Sequence, residues 1–446
     1  MASAAEQLAA NLNFGALAKA DELKKRIWFT LGALLVYRLG TYIPLPGINP
    51  DAVTDLFRQQ GQAGVLGLFN MFSGGAVGRL AIFALAIMPY ISASIIVQLL
   101  SSVIPSFEAL KKEGEQGRKI LNQYTRYLTL VLAVFQAYAI GVGLQGSGNL
   151  VLEPGPFFLL STTITLVGGT MFLLWLGEQI TSRGIGNGTS MIIFAGIIAE
   201  FPAQLAQTLE LGRQGAISTG LLLGILVMAI CVIAFCVFME RAQRRLLINY
   251  PKRQVGNRMY EGQTSFLPLK LNTSGVIPPI FASSLLLLPT TIASFSQAQG
   301  GTGILSTIAT YLAHGRPLFM VLYAALIIFF CFFYTAIVFN PVETADNLKK
   351  HGGFMPGIRP GERTAEHIDR ILTRITVLGA GYLTIVCLIP EFMITYAQIP
   401  IILLGGTSLL IVVTTTMDTV AQVHGHLLAH QYEGLVKKAK LRGARR

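Results

Sequence analysis

Ten apolar stretches run along this chain, near residues 27–42, 80–100, 121–141, 157–176, 189–205, 219–239, 273–291, 318–339, 375–391 and 399–420. Each is close to the ~20 residues that a helix needs to cross a bilayer. Lys and Arg collect in alternate gaps between them. Lys24, Lys25 and Arg26 precede the first stretch, and Lys111, Lys112, Arg118, Lys119 and Arg126 follow the second. Arg241, Arg244, Arg245, Lys252, Arg253, Arg258 and Lys270 fill the sixth gap, and Lys349, Lys350, Arg359, Arg363, Arg370 and Arg374 the eighth. A basic tail closes the chain, whereas the opposite gaps hold little beyond Arg58, Arg213 and Arg316. This asymmetry predicts a multi-pass membrane protein with both termini cytoplasmic. With 52% hydrophobic and 13% charged residues in 446, the chain is too apolar for a soluble domain. The net charge of +12 therefore gathers on one membrane face, where it meets anionic lipid or an anionic partner.

Residues 1–26 are Ala-rich, carry mixed charge and lack an apolar core. They read as a cytoplasmic amphipathic segment rather than a cleavable signal. Cys231, Cys236, Cys331 and Cys387 lie inside apolar stretches without metal-ligand spacing and read as small buried packing residues. Ionisable side chains are nearly absent from mid-depth, where function in a membrane bundle usually shows itself. Arg38, Arg79, Glu178 and Asp418 lie toward span ends, where snorkelling or capping accounts for them. The spans thus offer no carboxylate relay for proton coupling. There is no HExxH and no GxxxxGK[ST] loop. Gly184-Ile185-Gly186-Asn187-Gly188 joins two spans without a preceding strand and reads as a tight turn. His424, His426 and His430 have no Cys or carboxylate to complete a metal site. The expectation is a non-enzymatic chain without cofactor or metal, driven by a partner.

Ten spans divide into two sets of five, and an odd number makes repeated halves inverted in the membrane. The second span of each set is interrupted. Ser73-Gly74-Gly75-Ala76 precedes a span containing Pro89, and Gly275 with Pro278-Pro279 breaks the start of span seven. Disrupted helices at matching positions point to a pathway between the halves. Ahead of span two, residues 64–72 are apolar but too short to cross. As a re-entrant segment they are stable only when packed inside protein, either as a filler helix or as a movable stopper. Their flanking glycines and small size favour the stopper.

At these residues the chain resembles the SecY family of protein-export channel subunits. The strings that carry the resemblance are Gly67-Leu68-Phe69-Asn70-Met71-Phe72-Ser73-Gly74-Gly75, Ile87-Met88-Pro89-Tyr90-Ile91-Ser92-Ala93-Ser94 and Gln123-Tyr124-Thr125-Arg126-Tyr127. Trp175-Leu176-Gly177-Glu178-Gln179-Ile180, Phe339-Asn340-Pro341-Val342-Glu343-Thr344, Pro356-Gly357-Ile358-Arg359-Pro360-Gly361-Glu362 and Gly406-Thr407-Ser408-Leu409-Leu410 continue it from about Leu23 to the tail.

The resemblance implies an all-α membrane protein of ten helices, in two inverted five-helix halves around a central pore, with a re-entrant plug helix. Residues 1–26 would form the N-terminal segment and 27–215 the first half, with the plug at about 64–75. Residues 216–420 would form the second half, with cytoplasmic loops at 240–271 and 340–374, and 421–446 a basic tail. The plug would contain Gly67, Leu68, Phe69, Asn70, Met71, Phe72, Ser73 and Gly74. The pore ring would be Ile87, Ile91, Thr189, Ile193, Ile280 and Ile411, with Thr189 a polar departure where an aliphatic residue is usual. A narrow aliphatic collar resists ions by dewetting and offers no charge to grip a moving peptide.

A lateral gate between spans two and three and spans seven and eight would contain Ser92, Gln98, Thr125 and Asn272. Polar interhelical contacts in membranes are worth only ~0.6–2 kcal/mol. A ten-residue leucine-rich signal gains ~3–6 kcal/mol on entering lipid, so it outcompetes such a latch where a hydrophilic stretch does not. Arg241, Arg244, Arg245, Lys252, Arg253, Arg258, Lys349, Lys350, Arg359 and Arg363 would dock the SecA motor ATPase or the ribosome. An arginine-rich loop suits ribosomal RNA through counterion release. SecE and SecG are the implied companion subunits, with SecDF and YidC as further partners, signal peptides and unfolded precursors as cargo, and the bacterial inner membrane as location. The alternative from another class is a secondary transporter of small solutes, which also uses inverted repeats and broken helices.

Overall fold

A computed structural model of the chain describes residues 21–49, 72–146, 150–215, 218–251, 253–255, 258–260, 264–286, 316–397 and 405–443, together with Ala52 and Asn70. A helix stands at each of the ten apolar stretches. They are α1 (Asp21–Gly40), α2 (Met88–Val103), α4 (Glu115–Gly146), α5 (Pro156–Arg183), α6 (Gly188–Arg213) and α7 (Thr219–Arg241). The later ones are α8 (Ile277–Leu286), α9 (Pro317–Val338), α11 (Glu362–Ala397) and α12 (Gly406–Gly443). Two short helices, α3 (Pro105–Lys112) and α10 (Pro341–Lys350), lie between spans. Among the described residues, six helices are long and apolar enough to cross a membrane unaided. Many large side chains on their outer faces are exposed, including Phe157, Ile164, Leu223 and Phe238, as lipid contact requires.

Prolines set the breaks. Pro89 lies in the first turn of α2 and Pro317 in that of α9, positions where the missing N–H costs nothing. Pro105 pushes Ile104 into an extended conformation (φ −97°, ψ 120°), and α3 leaves α2 at a bend of 102°. Span two thus begins at Met88, not near residue 80. Residues 73–87 are a run of turns with Leu80 and Ala86 at φ 43° and 48°. Leu45 N–H donates to the Leu80 carbonyl and Ile82 N–H to that of Ile43, tying this run to the chain leaving α1. Nearly all of it is buried, the condition under which irregular backbone is tolerated at membrane depth.

The helices of the first five spans pack in sequence, α2 on α4, α4 on α5, and α5 on α6 and α1. In the later set, α9 and α12 pack on α11 and α7 on α12. The two sets meet where α6 lies against α7 and α12, and α1 against α12. There Gly186 N–H donates to Gln422 Oε1 at 2.8 Å and Thr419 Oγ1 approaches Met191 Sδ at 3.5 Å.

To the helices the structure adds two small hairpins in the sixth gap. Strands β1 (Gln243–Asn249) and β4 (Thr264–Lys270) pair antiparallel, as do β2 (Arg253–Val255) and β3 (Arg258–Tyr260). Leu246 and Leu269 on the first pair pack with Met355, Ile368, Ile371 and Ile375, and Asn249 bridges Phe354. The two long basic gaps therefore share one core and act as a single platform.

Helix α12 continues through the basic tail as far as Gly443. One expectation changes. Cys231 is exposed on the outside of α7 rather than buried, while Cys236, Cys331 and Cys387 are buried, and all four are free thiols. Residues 1–20 of the N-terminal segment, 287–291 of span seven, 399–404 of span ten and 444–446 lie outside the described residues.

Candidate pore, plug seat and gate

Of the plug residues, Asn70, Phe72, Ser73 and Gly74 are described; Gly67, Leu68, Phe69 and Met71 lie outside the described residues. Their exit from the plug is a knot of polar bonds. Gly78 N–H donates to Asn70 Oδ1 at 2.6 Å, Gly75 N–H to the Asn70 carbonyl at 2.8 Å, and Ser73 Oγ to that carbonyl at 3.0 Å. Gly74 and Gly75 both hold left-handed backbone, φ 65° and 84°. A Cβ on Gly75 would collide with Glu200 Oε1, and one on Gly74 would press on the Gly196 backbone of α6. Glycine is required twice over, by conformation and by space.

Arg38, near the end of α1, donates from Nη1 to the Gly74 carbonyl at 2.5 Å. Its other nitrogen lies 4.0 Å from Glu200, and Arg79 Nη2 lies 3.9 Å from the same carboxylate. Both guanidinium groups lie over the Tyr42 ring, 4.9 Å (Arg38) and 4.3 Å (Arg79) from its centre. Arg38 and Arg79 are thus members of an ion cluster, not snorkelling side chains. Glu200, the residue that organises it, is absent from the reading of the sequence. Its signal was there: it sits 12 residues into α6, about 18 Å from its start, where a carboxylate needs a partner. Glu178, read as a span-end charge, accepts from Arg126 Nε at 2.8 Å and links α5 to α4.

The ring residues come from the starts of four helices. Ile87 immediately precedes α2 and Ile91 is in its first turn; Ile193, Ile280 and Ile411 are in the first two turns of α6, α8 and α12. Ile87, Ile91, Ile193 and Ile411 are buried in one continuous apolar cluster, and Ile280 packs against it. Thr189 is half-buried in the first turn of α6, with its N–H donating to the capping Asn187 Oδ1 at 3.1 Å.

Three gate residues share the α2–α4 pair. Ser92 is buried, Gln98 Nε2 donates to Ser94 Oγ at 3.4 Å, and Thr125 Oγ1 donates to the Leu121 carbonyl. Asn272 stands apart from them. Its Nδ2 donates to Glu240 Oε1 at 2.6 Å and to the Gly275 carbonyl at 3.1 Å, and it accepts from Ser274. Glu240, at the end of α7, is a second residue missed in the sequence, hidden beside the conspicuous Arg241.

On the platform, Arg241, Arg244, Arg245, Lys349, Lys350, Arg359 and Arg363 are all exposed. Arg253 and Arg258 are on β2 and β3, and Lys252 lies outside the described residues. Gly357 and Gly361 at φ 80° and 108° shape the turn around Arg359, whose carbonyl accepts from Thr364 Oγ1 at 2.9 Å.

This arrangement defines a multi-pass helical membrane protein with the fold of a protein-conducting channel. A solved structure of such a channel matches with a TM-score of 0.66 at 18% identity, over 91% of this chain and 92% of that one. Sec61 in the canine ribosome–channel complex from the endoplasmic reticulum matches at 0.65, also at 18% identity and over the same shares. The SecY family model matches residues 81–420. The protein translocase subunit SecY of Vibrio cholerae is 56% identical over 427 residues, 95% of this chain and 96% of that one. The chain belongs to the SecY family. Membership replaces the solute-transporter alternative.

Proposed function

We propose that the chain is the pore-forming subunit of a protein-conducting channel in a bacterial inner membrane. It exports unfolded, signal-bearing precursors and releases membrane segments sideways into lipid. What supports this reading is that the five isoleucines expected at the constriction stand at or just before the starts of four helices, four of them buried in the main apolar cluster and Ile280 packed against it. A collar of such side chains would pass any sequence and hold none. The chain itself performs no catalysis; SecA or a translating ribosome supplies the energy, and SecE and SecG complete the complex. Both termini and the arginine platform face the cytoplasm, in keeping with the distribution of basic residues. Depleting the protein in cells makes secreted precursors accumulate with uncleaved signal peptides, and normal export would overturn the reading.

The platform can be tested at Arg359. Its guanidinium projects from a turn fixed by two glycines and could grip a carboxylate or phosphate with two bonds at once. Arg359→Glu is expected to leave the protein inserted and assembled, yet sharply reduce SecA-driven transport into inverted vesicles. Arg359→Lys should fall between the two. Transport at the wild-type rate by the Glu variant would remove Arg359 from the docking surface.

A further inference from the structure

The two helix sets are joined on the α6–α12 side by packed helices and the bonds at Gly186 and Thr419. A further bond between the sets, spanning 226 residues of sequence, joins α3 to the end of α9. Lys111 Nζ donates to the Ile337 carbonyl at 3.2 Å. In a continuing helix that carbonyl would accept from the N–H of residue 341. Residue 341 is proline and has none, so the Ile337 carbonyl at the end of α9 lacks its α-helical donor.

The donor is presented by a fixed arm. The 102° bend at Pro105 throws α3 sideways from α2. Phe107 packs on Tyr124 of α4 with ring centres 5.6 Å apart. Gly117 lets the start of α4 close on α3, because a Cβ there would collide with the Leu110 carbonyl oxygen. A cation at the carboxyl end of α9 also meets the negative end of its dipole.

We propose that Lys111 is a positioning residue that latches the seam between spans two and eight by capping the proline-truncated end of α9. The proposal rests on the reading of that seam as the lateral gate. Opening the seam breaks this bond and re-exposes the Ile337 carbonyl to water. The latch is exposed, so salt weakens it, and a single cation on one helix end shifts the open–closed balance by about two- to fivefold.

The test uses the full complex in lipid discs, with spin labels at Glu113→Cys and Val342→Cys in a background lacking the four native thiols. Lys111→Met should increase the long-distance population about two- to fivefold, Lys111→Glu should increase it further, and Lys111→Arg should keep the wild-type distribution. Raising salt should move wild type toward Lys111→Met and leave Lys111→Met unchanged. Unaltered distances in the Met and Glu variants would overturn the latch. A second readout addresses the gate itself: the Met variant should export precursors with weakly hydrophobic signals about two- to fivefold better, with strong signals little affected. Widened distances with no change in signal tolerance would leave the latch standing and overturn the gate reading beneath it.

Discussion

The residues proposed as the plug seat are held by charges, and those proposed as the ring are isoleucines. At the seat, Arg38 binds one named carbonyl, Gly74, while Arg79 and Glu200 fix its surroundings, so displacement breaks specific, directional bonds. Around the proposed ring residues the contacts are apolar and undirected, so any one of them could re-form against a passing side chain. The difference separates two tasks. A resting state needs one preferred arrangement, which charges and glycines supply. A conduit needs indifference, which aliphatic side chains supply. The seat should accordingly respond to salt and to single charges, and the ring to neither.

The comparison is tested most severely by deleting residues 64–72. The ring is then the remaining barrier, and the resting ion conductance of the purified complex in planar bilayers should rise more than in any point variant. Unchanged conductance would mean that the ring seals alone and the seat guards nothing.

Glu200→Gln should have the next effect. It leaves Arg38 and Arg79 facing each other without a counter-charge, and loose, partly exposed pairs of this kind are worth about 1 kcal/mol, or about a fivefold increase in leak. The increase should vanish when the plug is also deleted. Persistence in that background would place Glu200 in general packing instead.

Thr189→Ile sharpens the other side of the comparison. In the plug-deleted background it should reduce leak about twofold, by extending the apolar collar, and leave precursor transport intact. A leak that stays constant would exclude Thr189 from the constriction.

Much of the scaffold was legible because the bilayer imposes a length. All ten apolar stretches carry helices, and the turn at Gly184–Gly188 falls where its glycines put it. Hydropathy was blind where burial in protein mimics burial in lipid. Residues 80–87 are as apolar as a span yet form turns, their backbone bonding mostly within residues 76–88 and, at Leu80 and Ile82, to Leu45 and Ile43. Pro89 read as a break within a helix, whereas a proline in the first turn marks a beginning. In β1, two arginines precede Leu246-Leu247-Ile248, and that charge masked a short alternation of buried and exposed positions. Glu200 was lost because one carboxylate barely lowers the hydropathy of a 26-residue helix, and its partners are distant in sequence.

That the ring residues stand at the tips of helices has a mechanical consequence. Each is carried on the end of a lever. Helix α6 is 26 residues, about 39 Å, so tilting it by about 5° around its far end moves Ile193 by roughly 3 Å. Four such levers change the aperture as the blades of an iris do. In the proposed channel no rotamer would have to flip and no backbone hydrogen bond to open, so a pore lined by these residues would widen by whatever amount the passing chain demands and narrow again behind it.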